Sequence, residues 1–198
     1  MVRIIGITGG IASGKSTVTE FLRQQGYQVI DADQVVHELQ EPGERLYQAL
    51  LSTFGSSILQ EDGRLDRPKL GAMIFGNPQL LEQSSQIQNQ IIREELAGRR
   101  DLLAGKEDIF FMDLPLLFEL GYETWFDQVW LVDVTEETQL SRLMARNDLS
   151  QEEAEKRIAA QLSLQEKRNR ADVLIDNNGP LELTQEQLRE ALQKLERR

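Results

Sequence analysis

The chain has 198 residues and no cysteine, enough for one well-buried core, or one core with a small inserted subdomain, rather than for two full domains. Neither disulfides nor thiolate metal sites can form, which suits a reducing compartment and points to the cytoplasm. A net charge of −11, from 22 basic and 33 acidic side chains, argues against general nucleic-acid binding, whose footprint is a basic face. No apolar run approaches the length of a membrane span, and no basic leader precedes an apolar stretch.

Residues 2 to 17, VRIIGITGGIASGKST, read as a buried strand, a glycine-rich turn and the start of a helix. Gly9, four residues, then Gly14-Lys15-Ser16 fit the G-x-x-x-x-G-K-[ST] phosphate-binding loop, and the strand from Val2 to Ile7 is the context that the pattern requires. Glycine allows backbone angles closed to other residues, so amide N–H groups can converge on phosphate oxygens. The following helix, from about Lys15 to Gln25, turns its positive end toward the same anion. Lys15 is placed for the β and γ phosphates. Ser16 supplies the hydroxyl expected on Mg²⁺, an ion that takes oxygen ligands and bridges phosphates. The candidate ATP site is Gly9, Gly10, Ile11, Ala12, Ser13, Gly14, Lys15, Ser16 and Thr17. A plain Gly/Ser turn would account for Gly10, Ser13 and Gly14, but not for the strand, lysine, serine and helix together.

An anionic ligand on an acidic chain requires locally concentrated positive charge. The candidates are Arg142 with Arg146, and Lys156-Arg157 with Lys167, Arg168 and Arg170.

Further strands are expected near Tyr27 to Ile30, Ile109 to Met112, Val129 to Val134 and Val173 to Ile175. Their apolar runs are mostly continuous, as in parallel strands covered on both faces. Helical patterns occupy 33–40, 44–54, 67–75, 78–103, 136–147, 151–168 and 182–196. The alternation predicts an α/β fold, a doubly wound five-stranded parallel sheet with a phosphate loop, a helical substrate-binding insertion and a lid. The core is expected over about 1–33 and 108–198, the insertion over 34–107 and the lid over 142–157. For the insertion, a second reading is that its helices merely cover one face of the sheet. Asn77-Pro78 and the Ser150–Glu153 capping box mark two helix starts.

Asp31-Ala32-Asp33 follows the second strand, where ligands of doubly wound sheets bind. One carboxylate suits a base for an attacking hydroxyl and the other a water-mediated hold on magnesium. The alternative is an Asx turn with Asp33 as helix cap. Asp113 ends the third strand and is preferred over Asp133 as a second magnesium group, because the apolar turn Pro115-Leu116-Leu117-Phe118-Glu119 follows it. That turn suits an organic substrate, or simply core packing. Arg142 and Arg146, four apart, share a helix face and suit the charge on phosphoryl oxygens, or form a solvated pair. Arginines of this kind sit on lids that exclude water. His37, the single histidine, reads as a helix-surface residue or a minor substrate contact. Asn177-Asn178-Gly179 reads as a base-binding loop or a plain turn.

In order, TGGIASGKST, DADQVVHE, EPG, LDRPKLGAMIF, DLPLLFE, ETQLSRLMARN and ADVLIDNNG closely resemble the dephospho-CoA kinase family, from Ile4 to about Gly179. The resemblance implies transfer of the ATP γ-phosphoryl to the ribose 3′-hydroxyl of dephospho-coenzyme A, the last step of coenzyme A synthesis, with Mg²⁺ as cofactor. It implies that Ala12 to Thr17 hold ATP, that Asp33 is the base, that Arg142 and Arg146 belong to the lid, and that Leu65 to Phe75 and Pro115 to Glu119 lie near the acceptor. Together with the residues read above, the expected site adds Arg142, Arg146 and Asn177 to ATP binding, Lys15 and Arg142 to catalysis beside Asp33, and Ser16 and Asp113 to the metal. Asp31, Asp33, His37, Arg67, Arg93, Pro115, Leu116 and Leu117 are then the acceptor-site residues, and the inserted helices form the coenzyme A subdomain. The implied assembly is a monomer or a homotrimer.

One departure is Asn89-Gln90 before Ile91-Ile92-Arg93, where the family often has His-Pro. Asparagine hydrogen-bonds but carries no proton or charge as imidazole does. Competing readings are another small-molecule or nucleoside monophosphate kinase of this fold, and a regulatory GTPase, whose N-K-x-D segment is missing from this chain.

Overall fold

The computed structural model describes residues 2–197. Its elements are β1 (Arg3–Gly9), α1 (Lys15–Gln24), β2 (Val29–Asp31), α2 (Ala32–Leu39), α3 (Arg45–Phe54), α4 (Arg67–Phe75), α5 (Pro78–Ala104), β3 (Ile109–Asp113), β4 (Gln128–Asp133), α6 (Glu136–Asn147), α7 (Gln151–Ala159), α8 (Leu164–Arg170), β5 (Val173–Asp176) and α9 (Leu181–Glu196). The chain divides into two compact units, residues 1–30 with 104–198 and residues 31–103.

The first unit is built on the sheet. Its five strands run parallel in the order β2-β3-β1-β4-β5, so the expected doubly wound parallel arrangement is the one observed. β1 lies centrally, with Ile7 opposite Asp113 of β3 and Gly9 opposite Val132 of β4. The chain leaves β1 and β3, adjacent strands, toward opposite edges of the sheet, and such reversals open a crevice at the strand carboxyl ends.

Alternation within each strand explains the continuous apolar runs. Ile5, Ile7, Phe111, Trp130, Val132 and Ile175 form one core with Val18, Phe21 and Leu22 of α1 and Leu188, Leu192 and Leu195 of α9. The ring of Phe111 meets those of Tyr27 and Trp130 edge-on, at centroid distances of 5.3 and 5.4 Å. Facing the other way from β1 is Gly6, where a Cβ would stand 2.7 Å from Leu117 and 2.8 Å from Phe126. The apolar segment after β3 therefore lies directly on the sheet backbone. For Leu117, fully buried, the core reading of that turn holds; Leu116 is exposed.

The second unit is helical, as expected between the second and third strands, apart from an isolated antiparallel bridge between Leu59 and Leu65. Its buried apolar residues include Val35, Leu39, Leu46, Leu50, Ile58, Leu65, Leu70 and Leu96. Asp66 caps α4 through the Lys69 amide, and Asn77 accepts from the amides of Gln79 and Leu80 at the start of α5.

Two local expectations are corrected. The helix expected over 151–168 is two helices, because Ser163 begins a second capping box with Glu166 and starts α8. Glu153 in the first box accepts from the Ser150 amide at 3.0 Å, which lowers its pKa. The cap of α2 is Asp31 rather than Asp33: Asp31 Oδ1 accepts from the amides of Asp33 and Gln34 at 2.9 and 3.1 Å, and Asp33 lies inside the first turn.

Candidate active site

The phosphate loop occupies the turn from Gly9 to Ser16. Ala12 and Gly14 both have positive φ, 60° and 85°, a region that costs a residue with a side chain and costs glycine nothing. Gly14 has a further reason to be glycine, since a Cβ there would stand 2.2 Å from Asn177 Nδ2. At Gly10 it would stand 2.4 Å from Gln139 Nε2. The glycines thus admit neighbouring side chains.

Those side chains tie the loop along its length. Gln161 Oε1 accepts from the Ile11 amide at 2.9 Å, and Gln139 Nε2 donates to the Ile11 carbonyl at 3.0 Å. Asn177 Nδ2 donates to the Ser13 carbonyl at 2.8 Å, while Thr184 Oγ1 donates to Asn177 Oδ1 at 3.0 Å. Arg142 Nη2 donates to the Asn177 carbonyl at 2.9 Å, so Arg142 is held beside the loop. Ser13 Oγ is buried without a hydrogen-bond partner, an arrangement that costs free energy unless a bound group satisfies it.

Lys15 Nζ lies 3.3 Å from Asp113 Oδ1, with both side chains largely buried. The carboxyl end of β3 is thereby joined to the start of α1. Asp133 is engaged elsewhere: Arg168 Nε donates to its Oδ2 at 2.8 Å, and this bond raises the arginine pKa further. Ser16 is exposed at the first turn of α1 and Thr17 half-buried. A hydroxyl and a carboxylate, with phosphate oxygens and water completing the sphere, make a donor set that magnesium accepts. Among the described residues no cluster of three or more His, Asp or Glu side chains could hold a metal by itself.

Other residues singled out from the sequence are placed differently. Arg146 is exposed on α6, and its Nε donates to Asn147 Oδ1 at 2.9 Å. In the helical unit, Asp33 and His37 are exposed on α2. Arg67 lies against His37, with Nη2 2.8 Å from the ring Nδ1, and its Nε donates to Gln40 Oε1 at 2.8 Å. Arg93 is half-buried and Asn89 exposed on α5. Pro115 takes hydrogen bonds at its carbonyl from Thr8 Oγ1 and Lys167 Nζ.

The basic run after position 155 is mostly paired with acids. Lys156 pairs with Glu152, Lys167 with Glu119, and Arg170 with Glu123 while lying 4.5 Å above the Phe118 ring. Sequence reasoning missed Gln139, Gln161, Thr184 and the buried state of Lys167. For Lys167 a signal existed: it stands three residues after Leu164 on α8, and so on that helix's apolar stripe.

A central strand, a clamped phosphate loop and a lysine on a strand-end aspartate are shared by many nucleotide enzymes, and comparison with known proteins separates them. The dephospho-CoA kinase family model matches residues 3–182. The chain belongs to the dephospho-CoA kinase family. A dephospho-CoA kinase of Streptococcus pyogenes is 60% identical over 192 residues, covering 97% of this chain and 98% of the relative. Among solved structures, a Thermus thermophilus protein matches with a TM-score of 0.82 at 35% identity, and a dephospho-CoA kinase from Campylobacter jejuni with a TM-score of 0.76 at 27% identity; each match covers 98% of both chains. Family membership sets aside the nucleoside monophosphate kinase and GTPase readings. Among the described residues, no helix is long and apolar enough to cross a membrane.

Proposed function

We propose how the activity of the dephospho-CoA kinase family, ATP-dependent phosphoryl transfer in the final step of coenzyme A synthesis, is divided among the residues of this chain. ATP sits with its phosphates in the Gly9–Thr17 loop, against the backbone amides and the amino end of α1. Lys15 neutralises charge on the β and γ phosphates, and Arg142 adds a guanidinium where charge spreads over the transferring group. Ser16 and Asp113 would hold Mg²⁺ bound with ATP, and the ion would supply electrostatic stabilisation of the phosphate charge.

Asp33 acts as base. Its carboxylate takes the proton of the ribose 3′-hydroxyl as that oxygen bonds to the γ phosphorus, and the bond from this phosphorus to the β–γ bridging oxygen breaks, releasing ADP. Two observations support Asp33 over Asp31: Asp31 already accepts two backbone hydrogen bonds as the cap of α2, and Asp33 is exposed. His37, Arg67, Arg93, Pro115 and Leu116 receive the coenzyme A moiety in this reading, with buried Leu117 anchoring that segment to the sheet, the helical unit serves as the substrate subdomain, and residues 142–157 act as the lid. Asn177 has a changed part. Its side chain is spent on Ser13 and Thr184, so it contributes to ATP binding by shaping the loop rather than by reaching the base.

The observation that carries the proposal is the Lys15–Asp113 pair beside a phosphate loop clamped by Gln139, Gln161 and Asn177. Phosphorylation of a panel of hydroxyl acceptors with Mg-ATP is the test. Dephospho-coenzyme A is preferred by orders of magnitude in kcat/KM, and an absence of preference would overturn the acceptor assignment. A cytoplasmic enzyme, monomeric or homotrimeric, belongs to the same reading, and sedimentation separates the two assemblies.

A further inference from the structure

Lys167 is fully buried, a rare state for lysine, and the chemistry set out above gives it no task. Its ammonium has three donors, and three acceptors surround it: Glu119 Oε1 at 2.9 Å, the Pro115 carbonyl at 3.4 Å and the Gly9 carbonyl at 3.5 Å. Gly9 opens the phosphate loop at the end of β1. Pro115 and Glu119 bound the segment that follows β3. One buried ammonium therefore bridges the loops leaving the two neighbouring strands at the crevice.

The bridge extends to a third element. Glu119 Oε1 also accepts from the Leu162 amide at 3.1 Å, just before the cap of α8, and Gln161, its neighbour, holds the Ile11 amide. Thr8 Oγ1 donates to the same Pro115 carbonyl that Lys167 reaches. A purely apolar core would seal this place at lower desolvation cost, since a buried ion pair seldom improves on well-packed hydrophobic residues. What an ion pair with fixed hydrogen bonds adds is geometry. Carbonyls at Gly9 and Pro115 are held at a set separation, and with them the phosphate loop and the segment beside it.

We infer that the buried Lys167–Glu119 pair is a positioning device for phosphoryl transfer, fixing the Pro115–Glu119 segment against the phosphate loop so that donor and acceptor meet in reactive register. Neither residue touches the reacting atoms. The inference rests on the reading that Pro115 and Leu116 meet the acceptor. A loss of register lowers the rate of the bound complex more than the binding of either substrate, because reactive geometry is needed only in the transition state.

The test is the neutral double variant Lys167→Met with Glu119→Gln, which removes both charges and so leaves no unpaired one. Steady-state kinetics are measured well below its melting temperature, with ATP and dephospho-coenzyme A varied in turn. The expected result is a kcat lowered roughly ten- to a hundredfold, with both KM values within about threefold of the parent. A kcat within threefold of the parent, with only the melting temperature lowered, would make the pair purely structural and overturn the inference. So would an unchanged kcat with a raised KM for ATP. Should the double variant fail to fold, Lys167→Met alone removes the ammonium that joins the Gly9 and Pro115 carbonyls while Glu119 keeps the Leu162 amide, and a kcat and KM set equal to the parent's in that variant overturns it equally. Leu116→Ala separates the two readings: an unchanged KM for dephospho-coenzyme A removes Pro115 and Leu116 from the acceptor site, whatever the pair does to kcat.

Discussion

Around the phosphate loop, Ser13, Asp113, Gln139, Lys167, Asn177 and Thr184 are buried polar side chains, whereas the groups assigned to the acceptor in the helical unit, Asp33, His37 and Arg67, are exposed. The helical unit is laced by surface pairs such as Arg45–Glu94 at 2.6 Å and Arg99–Glu38 at 2.7 Å, a type of contact that contributes little to stability. The loop instead is held by hydrogen bonds inside the protein, each costly to leave half-made. A triphosphate presents the same charges and spacing in every turnover, so its cradle gains from being built in advance. The side chains proposed for the nucleotide are thus fixed by buried hydrogen bonds within one unit, and Asp33, His37 and Arg67, proposed for the acceptor, are exposed on helices of the other.

Mutations can break or sharpen that contrast. The largest effect belongs to Lys15→Ala, which lowers kcat by roughly a thousandfold or more, since a preorganised charge at the transferring phosphate is lost; parental turnover in an ADP-release assay would remove Lys15 from the mechanism. Asp33→Asn follows, with turnover roughly a hundredfold lower and ATP affinity by calorimetry unchanged. That split is what an exposed group serving only the acceptor requires, and a parental rate would move the base role to Asp31 or show that positioning alone suffices.

Asn177→Ala tests the clamped half. It deletes the hydrogen bonds to Ser13 and Thr184 and leaves buried partners unmatched, so stability falls by about 1–3 kcal/mol and KM for ATP rises. Denaturant unfolding and ATP kinetics check both, and parental values in each would mean that the loop holds its shape without the clamp.

The smallest effect lies away from both regions. Tyr27 donates to Glu196 Oε1 at 2.6 Å, and burial first, then this bond and the nearby negative charge, push its pKa up to about 12. A raised folded-state value means that the stabilising contribution is complete below pH about 10 and is lost as the pH rises through about 12. Ultraviolet difference titration of the parent against Tyr27→Phe should show that the step lost on substitution lies near pH 12. If the step lost on substitution lies near pH 10, the Tyr27–Glu196 bond does not form in solution.

Much of the sheet was legible because its signals are local. Continuous apolar runs at Ile109–Met112 and Val129–Val134 are what strands covered on both faces require, and the loop spacing at Gly9–Ser16 carries its own chemistry. The break between α7 and α8 was also written locally, in Ser163 and Glu166, but an amphipathic pattern running through it hid the cap. Choosing between Asp31 and Asp33 as the cap needed the backbone, since the two stand within one turn and either carboxylate can accept from the following amides.

By itself, then, the sequence determined the parallel α/β sheet, the phosphate loop after its first strand and, through the resemblance of its motifs, the family. Those follow from periodicities and spacings that act within a few residues. Only the tertiary structure decided which charges are buried and what they hold: Lys15 on Asp113, Arg168 on Asp133, Asn177 beneath Gly14 and Lys167 between Gly9, Pro115 and Glu119. These partners stand from 35 to more than 150 residues apart, and no local pattern encodes a pairing made by packing strands and helices into one core.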